Sequence, residues 1–97
     1  GYGIIYPSPE EESLSLQVTW ARPSYREDGS PLDPEEISSY VISYSHEDFT
    51  ADIYVHGAEN TSYLIQGLVP GRYSVTVSVV DVHGIFSAPS GAFTIDI

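Results

Sequence analysis

Three histidines and fourteen acidic residues are the side chains of this 97-residue chain most able to do chemistry. His46, His56 and His83 would make a metal site if they converged, because neutral imidazole is the commonest metal ligand. They lie far apart on expected strand ends and loops, which argues for exposed histidines instead. Carboxylates cluster at Glu27-Asp28, at Asp33, Glu35 and Glu36, and at Glu47-Asp48. Such clusters could hold Ca²⁺ loosely, but none has the ligand spacing of a calcium loop. Glu10-Glu11-Glu12 reads as a solvated turn, since adjacent residues of an extended segment point to opposite faces. The chain has no cysteine, hence no disulfide and no thiolate ligand. It also lacks a glycine-rich phosphate loop, a metalloprotease helix and a nucleophile elbow. The expectation is a chain without catalytic residues, cofactor or metal.

One stretch has side chains out of keeping with its surroundings. Val82 to Ser87 has the composition of a loop, yet it carries Ile85 and Phe86 beside His83. Apolar side chains on a loop either fold down to close the end of a core or stand out to meet a partner. His83, Ile85 and Phe86 are therefore the candidate interaction residues. The eight tyrosines suggest a carbohydrate platform. However, Tyr40, Tyr44, Tyr63 and Tyr73 fall on expected core faces, which leaves Tyr2, Tyr6, Tyr25 and Tyr54 as candidate exposed rings.

Composition narrows the partners. Fourteen acidic residues against three arginines and no lysine give a net charge of −11. Such a surface repels phosphate backbones and anionic lipid, so nucleic acid and anionic membranes are poor partners. No apolar run approaches the roughly 20 residues of a membrane-spanning helix. The length suits one domain over residues 1–97, large enough to bury a core without staples. The chain begins at Gly1 and contains no Met, which reads as a piece of a longer protein.

The elements that would position the loop centre on Thr61 to Asp81. Tyr63 and Ile65 alternate with polar residues, as do Tyr73, Val75, Val77 and Val79, the signature of strands with one buried face. Gly67 to Gly71 joins the two runs as a tight corner. Upstream, Gly3 to Tyr6 reads as an edge strand stopped by Pro7 and Pro9. Ser13 to Trp20 places Leu14, Leu16, Val18 and Trp20 on one face, with Trp20 as core anchor. Arg22 to Ser38 is a long polar connection, with Arg22 and Arg26 tethered weakly to carboxylates at the surface. Within it, Asp33-Pro34-Glu35-Glu36 has the order of a helix start, giving a single turn capped by Asp33. Ser39 to Ser45 buries Tyr40, Ile42 and Tyr44, and Ala51 to His56 follows as an edge strand. After Asp81, Val82 to Ser90 reads as a long hairpin-type loop, and Ala92 to Ile97 as the last strand with Phe93 and Ile95 inward. Together with Leu68, Tyr73, Val75 and Val77, these inward residues form the expected core. Short strands at regular spacing, with no amphipathic helix, define an all-β sandwich.

Taken in order, several of these residues resemble a fibronectin type III domain over essentially the whole chain. They are Trp20 and Pro23, Tyr40-x-Ile42-x-Tyr44, Thr61-x-Tyr63-x-Ile65-x-Gly67-Leu68-x-Pro70-Gly71, Tyr73-x-Val75-x-Val77 to Asp81, then Gly84 and Ser87-x-Pro89-Ser90. The resemblance implies seven antiparallel strands, with sheet ABE facing sheet C′CFG. It also implies a tyrosine, Tyr73, whose hydroxyl returns to the backbone a few residues upstream. Two departures stand out: the Trp20–Tyr40 connection is longer than the family's usual length, and the Leu68–Tyr73 corner is one residue shorter. The function implied is a non-catalytic spacer or interaction module of a larger, extracellular or cell-surface multidomain protein. The alternative is a module that binds a protein or glycan through the 82–87 loop. A monomer, with neighbouring domains of the same chain as partners, is the expected state.

Overall fold

The computed structural model describes residues 14–87 and 90–97. The expected strand at Gly3–Tyr6 and the turn at Glu10–Glu12 lie outside these residues. The described residues are all-β, apart from one turn of 3₁₀ helix at Pro34–Glu36. Its described strands are β1 (Leu14–Thr19), β2 (Ile37–His46), β3 (Phe49–His56), β4 (Ser62–Leu68), β5 (Arg72–Asp81) and β6 (Phe93–Asp96). They form two antiparallel sheets, β1-β4 and β3-β2-β5-β6, which pack as a sandwich. β3 is an edge strand, as its position in the sequence predicts.

The core lies between the sheets. Leu16, Ile65 and Leu68 from one sheet meet Ile42, Tyr73 and Val75 from the other. Tyr40 and Ile42 are fully enclosed, and burying a side chain such as Ile42 stabilises by about 1.5–3 kcal/mol. Trp20 is partly buried, as an anchor should be, and its ring meets Tyr40 edge-on at 5.2 Å. A second cluster of Leu32, Ile37, Tyr40 and Ala58 closes one end, where the Tyr40 hydroxyl donates to the Ala58 carbonyl at 2.7 Å. Strand alternation does not reveal Leu32 or Ala58, because both lie on connections. β2 and β5 have neighbours on both sides, so their small outward residues Ser39, Val41, Ser78 and Val80 are also buried.

Three expected core residues are exposed. Phe93 pairs with Val75 and lies on the same face, but it is 59% exposed, because the inner side of β6 opens on a cleft lined by Leu16, Val18, Trp20 and Val77. Leu14 sits at the start of β1, beside an irregularity in the pairing, and Tyr63 at the start of β4; both are exposed at the rims of the two-stranded sheet. β4 also runs through Gly67 to Leu68, two residues into the expected corner, and Leu68 is buried as expected. Ile65 and Leu68, three residues apart, both face inward. A bulge shifts the register between Leu14/Leu68 and Leu16/Ile65, and Gly67 there has φ +76°, a conformation that favours glycine.

The corner before β5 matches its expectation. The Tyr73 hydroxyl donates to the Val69 carbonyl at 2.9 Å, and the ring is 2% exposed. His46 departs from the expected exposed histidine: its ring stacks on Tyr73 at 4.6 Å and makes a 3.0 Å hydrogen bond to the Arg72 carbonyl through Nδ1. Gly71 leaves room for that ring, since a Cβ there would run into the imidazole.

Candidate interaction surface

At one end of the sandwich, two connections come together. The long segment between β1 and β2 is not an open loop. Arg26 N–H donates to the Ser30 carbonyl, Gly29 N–H to the Arg26 carbonyl and Leu32 N–H to the Ser24 carbonyl. Tyr25 also pairs with Pro31. The segment is thus a small hairpin whose tip turns at Gly29, with φ +87°. Asp28 fixes the tip, accepting from both the Ser30 amide and hydroxyl through Oδ1. Leu32 then drops into the core. The following 3₁₀ turn has Asp33 at its N-cap and Pro34 at its first position, but Asp33 makes no side-chain capping bond. Asp33 is therefore not the capping side chain that its order in the sequence predicts.

The second connection is also tighter than its sequence suggests. The expected long loop over Val82–Ser90 reverses within a few residues of Asp81. Asp81 N–H donates to the Ile85 carbonyl, and Gly84 N–H, at φ +79°, to the Asp81 carbonyl. Phe86 then bridges Val80, and the Ser87 and Ser90 amides donate to the Val79 and Val77 carbonyls. The Ser87 and Ser90 hydroxyls accept from the Val79 and Val77 amides in return. Serine side chains and backbone thus extend the sheet alongside β5, which apolar periodicity cannot reveal.

Asp81 joins the two connections. Its side chain is 5% exposed. Oδ1 accepts from the amides of His83 and Ile85 at 2.9 and 2.8 Å, and Oδ2 accepts from Arg26 Nη1 at 3.2 Å. The other guanidinium nitrogen of Arg26 binds Glu36. Arg26 therefore ties hairpin, 3₁₀ turn and β5 together, where the sequence suggests only a loose surface tether. The Ile85 amide bond is the main cause holding the Asp81 carboxyl below the ordinary carboxylate range, with Arg26 and the His83 amide reinforcing it against the opposing effect of burial. Asp28 is lowered chiefly by the Ser30 hydroxyl. Arg26 is raised by its bonds to Glu36 and Asp81.

Between the two connections lies a cleft of about 440 Å³. Its lining includes Tyr25, Arg26 and Leu32 from one side and Val79, Ile85 and Phe86 from the other. Ile85 is 63% exposed and Phe86 53%, so Phe86 does not plug the core. His83 is exposed but does not line the cleft. Of the three residues singled out from sequence, two lie at the cleft. Tyr25, one of the expected exposed rings, is 67% exposed and joins them at the cleft.

Among the described residues, no group of three or more His, Asp or Glu is placed to hold a metal ion. No helix of the described residues is long and apolar enough to cross a membrane. Compared with known proteins, the chain matches no family model, no curated protein and no solved structure.

Proposed function

We propose that this chain is a non-catalytic interaction module of the fibronectin type III kind, part of a larger extracellular or cell-surface protein. The strand orders β1-β4 and β3-β2-β5-β6 support the finer fold reading, corresponding to B-E and C′-C-F-G. The hydroxyl of Tyr73, bonded back to Val69, supports it further.

The observation that carries the function is the turn after β5. Asp81 holds its backbone by accepting hydrogen bonds from the His83 and Ile85 amides, while Ile85 and Phe86 remain exposed beside a cleft. Fixing backbone costs conformational entropy, and leaving large apolar side chains in water forgoes burial. A rigid turn that presents them is suited to contact with a partner. A spacer would gain nothing from either feature.

The test is the double substitution Ile85→Ser with Phe86→Ser. Both side chains are largely exposed, so the variant should melt within a few degrees of wild type. Immobilised wild-type and variant chains would be compared for retained protein and glycan ligands. Loss of a specific ligand by the folded variant is expected. Identical retention by the two, or no ligand at all, would return the chain to the spacer reading.

A further inference from the structure

Resting on that interaction reading, we infer that the end cleft receives a short protein segment carrying an aliphatic or aromatic side chain flanked by arginine or lysine. The apolar side chain enters between the hairpin and the β5 turn, and the basic groups meet the cleft's acidic rim.

The first argument is charge. Glu27, Asp28 and Asp81 line the cleft against a single guanidinium, Arg26. That guanidinium is already bound to Glu36 and Asp81. Of the chain's other two arginines, Arg72 is engaged by Asp96 on the β5-β6 pair and Arg22 does not line the cleft. The net charge of −11 extends the same sign over the whole chain. An acidic or phosphorylated segment would be repelled, and a basic one drawn in.

The second argument is the chemistry of the walls. Leu32, Val79, Ile85, Phe86 and the Tyr25 ring are apolar or aromatic. The most enclosed polar groups among them, Asp81 and Arg26, are engaged within the molecule. Both oxygens of Asp81 have partners, and Asp28 Oδ1 holds Ser30. A glycan needs side chains ready to hydrogen-bond its hydroxyls, whereas an apolar anchor needs only shape and dry walls. The exposed Tyr25 ring adds a face on which a guanidinium can stack. A volume of about 440 Å³ suits one or two side chains of a segment.

A library of random dodecapeptides selected on the immobilised chain tests this, with the Ile85→Ser/Phe86→Ser chain for counter-selection. Enriched sequences should carry Arg or Lys next to Leu, Ile, Phe, Tyr or Trp. A synthesised winner should shift backbone amides in 24–32 and 79–87 and bind more weakly as NaCl rises. Phe86→Ser should weaken it about tenfold or more, and Glu27→Lys should weaken it while the chain stays folded. Enriched peptides without basic residues, amide shifts elsewhere, or no enrichment would overturn the inference. If uncharged peptides or glycans bind and are lost on Ile85→Ser/Phe86→Ser, this partner chemistry fails and the interaction module stands. If no ligand of any kind depends on Ile85 and Phe86, both readings fail.

Discussion

Asp81 concentrates more of the molecule's organisation than any other carboxylate, and its protonation is readable in a stability measurement. Its folded-state pKa is depressed, first by the Ile85 amide. Its contribution is therefore complete above the unfolded-state value, about 4, and is lost as pH falls through the lowered folded-state value. Asp81→Asn keeps a side-chain oxygen for the amides but removes the charge that faces Arg26. At neutral pH the variant should melt several degrees below wild type, and the gap should narrow progressively below about pH 4. Protonating other carboxylates relieves repulsion in both proteins alike, so the gap, rather than either midpoint, isolates Asp81. A gap that stays constant to about pH 2 would mean that the carboxylate's charge contributes nothing.

At the scale of elements, the β4–β5 corner and the two end connections behave differently from one another. The corner bond from Tyr73 reaches the carbonyl of Val69, a residue that is 58% exposed. Water can replace the lost donor there, so Tyr73→Phe should cost roughly 0.5–1.5 kcal/mol, the net value of an ordinary hydrogen bond. Chemical denaturation would measure it, and no loss would show the corner indifferent to its bond. Alternation placed the Tyr73 ring inward, but the hydroxyl's return to the backbone was expected only from the resemblance to a fibronectin type III domain. The same alternation located β1, β2 and β5 and named Ile42, Ile65 and Val75 as core. It could not place the end of β4, where the bulge near Gly67 lets the strand run on to Leu68 with that side chain inward but out of phase. It misjudged Phe93, which faces inward but opens on a cleft. The end connections were the least legible. Their order comes from hydrogen bonds made by Asp28, Asp81, Ser87 and Ser90, and polar residues of loop type announce no fixed partner. Ile85 and Phe86 could be singled out because they are the wrong chemistry for a loop. Tyr25 was legible only as a candidate exposed ring and Arg26 only as a surface tether; that both line one cleft depends on a hairpin that only the fold reveals.

Taken whole, the molecule carries −11 on 97 residues, and most of that charge has no cationic neighbour available, since the chain has only three arginines. Self-repulsion should therefore limit stability at low ionic strength, and moderate NaCl should raise the melting temperature as the Debye length shortens to about 8–10 Å. Scans at low and moderate NaCl measure this, and an unchanged or lower midpoint would count against it. CaCl₂ at matched ionic strength separates screening from binding: a further rise with calcium would reveal a cation site among the acidic clusters. The anchoring of the β5 turn has one more consequence. Asp81 grips amides and Gly84 supplies a left-handed backbone position, so the loop's shape does not depend on the side chains at 82, 83 and 85 as long as each keeps its backbone N–H. Those positions are free to diversify on an unchanging frame. Descendants of this chain, natural or engineered, could acquire new partners by altering a few loop codons while the sandwich beneath folds as before.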